Sequence, residues 1–190
     1  MIYKNISTPE QLMKYMNENI SYGIYDYAKN KKYLGENKNF ELLVNTIWKL
    51  SSPKQMQEHG IGHCYDQVEF ERAFFTKKHY NFKTFFIWFK CTKPNIYPTH
   101  TYLVYQEKRD NKWCWFEHSD SQNRGIHKFN SLNEAIEAQK LTQIKYAKSY
   151  RKAKTDISKI QIFEYTNIPY GCDINTFTNI ILQTGKEISI

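Results

Sequence analysis

Apolar positions recur with a period near 3.6 through the first third of this 190-residue chain, and with strand-like spacing in its middle. Thr8-Pro9-Glu10-Gln11 supplies a capping residue, a proline suited to a first helical turn and a glutamine three positions after the cap, so a helix starts there. Leu12, Met13, Tyr15 and Met16 carry its apolar stripe to about Asn19. A second helix is predicted over residues 39–50, where Phe40, Leu43, Val44, Ile47 and Trp48 fall on one face. Ser51-Ser52-Pro53 ends it and can cap a short turn before Gly60. Directly after Gly60-Ile61-Gly62, residues 64–77 (CYDQVEFERAFFTK) contain no breaker, with acids early and a lysine late, the order that the helix dipole favours.

The period then changes. Residues 83–91 (KTFFIWFKC), 100–106 (HTYLVYQ) and 112–118 (KWCWFEH) read as strands, and Asp110-Asn111 suits a hairpin turn between the last two. Ser131-Leu132-Asn133-Glu134 is a second capping box, opening a helix to about Tyr146. Residues 160–165 form a further strand, and Asp173 can cap a last helix ending near Gly185. Helices followed by strands, with no βαβ repeat, predict an α+β domain with an antiparallel sheet and helices packed on one side of it. We expect one domain, with a core over roughly residues 50–185 and a helical N-terminal part over residues 1–50.

Composition narrows the setting. Hydrophobic residues make up 41% and aromatic residues 16%, enough for a core, and no apolar run approaches the roughly 18 residues of a membrane span. The first residues, MIYKNISTPEQ, lack an apolar signal region, and the four cysteines (Cys64, Cys91, Cys114, Cys172) show no CxxC spacing. A reduced, cytoplasmic setting is the expectation, with no membrane partner. The formal net charge is +8, and residues 140–159 hold seven basic side chains against Asp156 alone. Lys145, Lys148, Arg151 and Lys152 could face nucleic acid or an acidic protein; a solvated helix end and linker is the other reading. No zinc-finger, helix-turn-helix or RNA-binding signature is present.

Cys64 carries the candidate chemistry. A cysteine in the first turn of a helix sits where free backbone N–H groups and the dipole favour thiolate, although a lone cysteine is more often a small buried thiol. The hairpin changes that balance. If Gln106 and Asn111 flank a four-residue loop, His100 stands directly opposite Glu117, and a two-residue change of register leaves them diagonal neighbours. A carboxylate beside an imidazole holds its tautomer and supports the imidazolium. Asp66, Glu69 and Glu71 near Cys64 would oppose thiolate formation unless paired, for instance with Arg72, or would line a pocket for a cationic group. A metal site drawing on His59, His63, Cys64, His100 and His118 is disfavoured, because Gly60 and Gly62 interrupt any helix that would present His59 and His63 together.

The order cysteine-on-helix, histidine-on-strand, acid-on-next-strand, with 36 residues from Cys64 to His100 and 17 more to Glu117, resembles the transglutaminase-like branch of the papain-like cysteine enzymes. Gly62-His63-Cys64-Tyr65-Asp66-Gln67-Val68-Glu69, His100-Thr101-Tyr102-Leu103-Val104-Tyr105 and Trp115-Phe116-Glu117-His118-Ser119 with Arg124-Gly125-Ile126-His127 resemble small, mostly uncharacterised bacterial transglutaminase-like proteins. The resemblance implies a papain-like fold with Cys64 as nucleophile, His100 as general base and Glu117 as its orienter. It implies acyl transfer at an amide or ester of a protein or peptide, released to water (peptidase, deamidase) or to an amine (transglutaminase), with no cofactor. Most members carry aspartate where Glu117 stands, so Asp120 is an alternative acid and His118 a neighbour of the site. Trp113, Trp115, Asp66 and Gln67 are candidate substrate-site residues. A non-catalytic module of the same shape, binding through residues 140–159, is the competing function.

Overall fold

The computed structural model describes residue 3 and residues 5–91, 99–149 and 155–189. Thr8 caps the first helix, α1 (Pro9–Asn19), by accepting from the Gln11 backbone N–H. The chain then turns into β1 (Ser21–Asp26) and β2 (Lys31–Leu34), an antiparallel hairpin in a part of the chain expected to be helical. Asp26 Oδ1 accepts from Ala28 and Lys29 N–H, and Asn30 takes φ 51°, the side-chain-to-backbone turn and left-handed residue that close such hairpins. After α2 (Phe40–Ile47), the helix α3 (Pro53–His59) starts at a complete Ser52/Gln55 capping box and ends at Gly60, whose φ of 64° favours glycine. The short β3 (Ile61–Gly62) pairs parallel with Ser21 and Tyr22, completing a three-stranded sheet, β2-β1-β3.

The central helix α4 (Cys64–Lys77) begins at Cys64 and ends at the last residue of the run read from the sequence. Strands β4 (Phe82–Cys91), β5 (Thr99–Gln106), β6 (Trp113–Glu117), β7 (Gly125–Phe129), β8 (Thr155–Tyr165) and β9 (Lys186–Glu187) form an antiparallel sheet in the order β7-β6-β5-β4-β8-β9. Helix α5 (Leu132–Ser149) separates β7 from β8, and α6 (Ile174–Thr184), capped by Asp173, precedes β9. The architecture is α+β.

Both faces of the large sheet are covered, a correction to the expectation of helices on one side only. Leu103, Tyr105 and Phe116 pack with Phe70, Phe74 and Phe75 of α4 and Leu12 and Met16 of α1. The alternate residues Phe85, Ile87, Tyr102, Val104 and Trp115 pack against Ala135 and Ile136 of α5. Burial on both faces explains why residues 83–91 and 100–106 read as near-continuous apolar runs without alternation. The aromatic run Phe85, Phe86, Trp88 and Phe89 reads from the sequence as core; Phe85, Phe86 and Phe89 are buried, and Trp88 packs partly buried against the core.

Candidate functional site

The site lies where α4 begins and β5 begins. Tyr65, in the first turn of α4, hydrogen-bonds Thr99, the first residue of β5, through their hydroxyls. This ties the position of Cys64 to that of His100. Asp66 secures the same turn from the other side: its carboxylate accepts from His63 N–H (2.8 Å), Ser51 N–H (2.7 Å) and the Trp48 indole (2.8 Å). The helix expected over residues 39–50 stops at Ile47 for this reason. Trp48 takes an extended conformation (φ −61°, ψ 137°) that sends its ring onto Tyr65 and its N–H to Asp66.

The hairpin register departs from the expected one by two residues. Leu103 pairs with Phe116 and Gln106 with Trp113, so the loop spans residues 107–112, with Asn111 at φ 57°. His100 and Glu117 become diagonal neighbours and still meet, His100 Nε2 lying 2.8 Å from Glu117 Oε2. Glu117 is the hub. Its Oε1 accepts from the Ser119 hydroxyl (2.8 Å) and Asp120 N–H (2.9 Å), and its Oε2 also from Trp115 Nε1 (3.3 Å) and Gln139 Nε2 (3.4 Å). Burial favours the neutral acid, but His100 and these donors win and hold the carboxyl below its ordinary range. Burial likewise disfavours a charged His100; Glu117 first, then the Cys64 thiol, hold its pKa well above the usual imidazole value. With Nε2 bonded to Glu117, Nδ1 is the ring nitrogen left for the thiol.

Cys64 is 2% exposed, and burial alone would raise its pKa. The charge of His63 and hydrogen bonding with His100 and His63 pull it down to about 5 instead. His63 Nδ1 lies 3.3 Å from Cys64 Sγ. In the sequence His63 stands out as a metal candidate and as part of the string around Cys64, and its adjacency to the cysteine is the signal for this contact. Pairing and burial temper the negative charge of the α4 acids near the thiol. Glu69 is bound by Arg72, and burial pushes the Glu71 carboxyl well above its usual range, which favours its neutral form. Among the described residues its Oε2 has no hydrogen-bond partner.

Several candidate residues have other jobs. Asp66 and Gln67 are buried and fully engaged within the first turns of α4, so neither lines a substrate pocket; Gln67 bridges Gly62 O (2.8 Å) and His118 Nδ1 (2.6 Å). Trp115 is buried under α5 as a donor to Glu117, and Trp113 is half-buried beside the same core, so they do not wall an open cleft. Asp120 accepts from Gln122 N–H and Asn123 Nδ2 and contacts Glu117 through its own N–H; the carboxylate hydrogen-bonded to His100 is that of Glu117. His59 stacks on Tyr25 at 4.5 Å and hydrogen-bonds Tyr27, away from His63 and Cys64. Among the described residues no three His, Cys, Asp or Glu side chains gather as metal ligands would, and Cys64, Cys114 and Cys172 are free thiols. Among these residues too, no helix is long and apolar enough to cross a membrane. Lys145 and Lys148 are exposed on α5, whereas Arg151 and Lys152 lie outside the described residues.

His118 gives a pH prediction. Burial, then the Arg124 guanidinium, lowers its pKa from 6.5 to about 4. Between those values the unfolded chain binds more protons, so this contribution to stability is present above pH 6.5 and is lost as pH falls toward 4. Asp66 acts oppositely: burial raises its pKa from 3.8 to about 6, so its contribution is lost as pH rises through that window. In urea titrations at pH 7 and pH 5, His118→Gln is expected to lose about 2 kcal/mol less than the wild type. Equal losses would show that His118 is protonated in the folded chain.

The sequence matches no family model, and no curated protein matches it.

Proposed function

We propose that this chain is a cysteine-dependent enzyme of papain/transglutaminase type that transfers or hydrolyses an acyl group at an amide bond of a protein or peptide. The observation that carries the reading is the Cys64 thiol at the N-terminus of α4, beside a His100 ring bound to Glu117 at 2.8 Å. A thiol with a pKa lowered to about 5 is a thiolate at neutral pH, the form that attacks a carbonyl carbon. Attack forms the S–C bond, and the oxyanion that develops is stabilised by backbone N–H groups of the first turn of α4. His100 gives its proton to the departing nitrogen, while Glu117 balances the imidazolium before transfer. Water or an amine then takes the acyl group from sulphur and returns its proton to His100.

The test is the pH dependence of Cys64 carboxamidomethylation by iodoacetamide, followed by mass spectrometry. The rate is expected to rise with an inflection near pH 5. The inflection is the informative quantity, because intrinsic nucleophilicity falls with thiol pKa and offsets part of any rate advantage. An inflection at the ordinary thiol value of about 8.5 would end the catalytic reading.

A further inference from the structure

His63 is in contact with the nucleophile yet has no part in the triad. As the residue before α4 it has extended backbone (φ −73°, ψ 168°), and its Nδ1 sits 3.3 Å from Cys64 Sγ. Aromatic neighbours hold the ring: the Tyr65 ring centroid is 4.6 Å away, Tyr22 5.3 Å and Phe40 5.8 Å. Tyr22 is brought there by the parallel pairing of β1 with β3. Among the described residues no carboxylate hydrogen-bonds the His63 ring, since Asp66 takes the His63 backbone N–H instead. The thiol therefore has two imidazole neighbours that differ in one respect: His100 carries a buried carboxylate on its far nitrogen and His63 does not.

We propose that His63 is a second imidazole partner of the Cys64 thiolate, so that the nucleophile persists without His100, whereas proton delivery to the leaving group belongs to His100 alone. The proposal rests on Cys64 being the nucleophile. In the tautomer or imidazolium form that carries a proton on Nδ1, His63 donates to the sulphur and shares its charge with His100, and either can offset part of the cost of burying it. Only the imidazole backed by Glu117 is built to carry a proton through the reaction. On an amide, the S–C bond forms, the C–N bond breaks, and the nitrogen leaves with a proton from His100. On p-nitrophenyl acetate, the S–C bond forms and the C–O bond breaks. There p-nitrophenolate departs with the electron pair and needs no proton.

The two roles separate by leaving group. The His100→Ala variant is expected to retain a burst of close to one equivalent of p-nitrophenolate per chain, followed by slow turnover. His63→Asn keeps a favoured helix-capping residue. Each single variant is expected to raise the alkylation inflection by about one pH unit or more, and the double variant to bring it to about 8.5 or above and abolish the burst at pH 7. The proposal is overturned if His63→Asn leaves the inflection unmoved while His100→Ala alone takes it to the ordinary value and removes the burst. In that outcome the wild-type inflection stays near 5, and Cys64 remains the nucleophile. A wild-type inflection near 8.5 would instead remove both readings. Should His63→Asn fail to fold, the wild type answers by NMR: carboxamidomethylation of Cys64 is expected to shift the His63 Nδ1 resonance. An unchanged Nδ1 resonance overturns the proposal.

Discussion

Replacing Glu117 by glutamine is expected to cut kcat roughly 10³–10⁴-fold on any amide the wild type turns over, and to destabilise the fold by about 3–5 kcal/mol. Five donors converge on this one carboxylate: His100 Nε2, Trp115 Nε1, Gln139 Nε2, the Ser119 hydroxyl and the Asp120 N–H. A glutamine amide places an NH₂ group where an oxygen accepted two or three of them, so buried donors are left facing a donor. The catalytic loss has a separate origin. Without the negative charge His100 loses what first holds its pKa up, and with it the capacity to stay protonated beside the thiolate. Glu117→Asp keeps the charge on a side chain one methylene shorter, and is expected to recover part of the activity. The measurements are single-turnover kinetics and urea unfolding monitored by tryptophan fluorescence. A Gln variant with wild-type kcat would remove Glu117 from the mechanism, whatever its stability.

The second large effect lies in the interior, away from the thiol. Arg72 Nε is 3.0 Å from Glu69 Oε2, Nη2 is 2.6 Å from the Thr84 hydroxyl, and the guanidinium stands 5.0 Å from the Tyr165 ring centroid. Glu69 is 1% exposed, and burial raises its pKa against the pull of Arg72. Arg72→Met preserves most of the stem that packs beside Tyr165 and removes only the charge and its donors. It is expected to cost about 3–5 kcal/mol, because Glu69 is left buried and uncompensated. Adding Glu69→Met should restore most of that loss, since the pair's attraction largely offsets its own desolvation. Denaturant midpoints of the two single variants and the double variant measure this directly. A single variant within 1 kcal/mol of the wild type would mean that water reaches Glu69. Neither substitution is expected to move the alkylation inflection of Cys64, which His63 and His100 control.

Much of this site is legible in the chain. Residues 64–77 announce helix α4 through unbroken formers and charge order, and the glycines before Cys64 mark where it must begin. That places the thiol at a helix N-terminus. The strand-like runs over residues 100–106 and 112–118 put His100 and Glu117 on strands of one hairpin, and the two-residue side-chain period of a strand makes their meeting robust. A slip of two residues, which is what the longer loop imposes, changes direct neighbours into diagonal ones and leaves the 2.8 Å contact in place.

Long-range packing decided the rest, because local periodicity carries no information about which face meets which neighbour. Helix α5 covers the second face of the sheet and sends Gln139 to Glu117, and nothing in residues 132–149 signals that destination. Trp48 leaves a helical pattern because an indole N–H bonded to Asp66 and a ring against Tyr65 outweigh one more helical turn. The acids of α4 looked like a penalty on the thiol. The pairing of Glu69 with Arg72, the engagement of Asp66 by N–H donors and the raised pKa of Glu71 are properties of the folded interior, where burial as well as spacing sets charge. Local signals set the helix that opens at Cys64 and the strand pair that carries His100 and Glu117; long-range packing set their register, the convergence of donors on Glu117, and the second imidazole at His63.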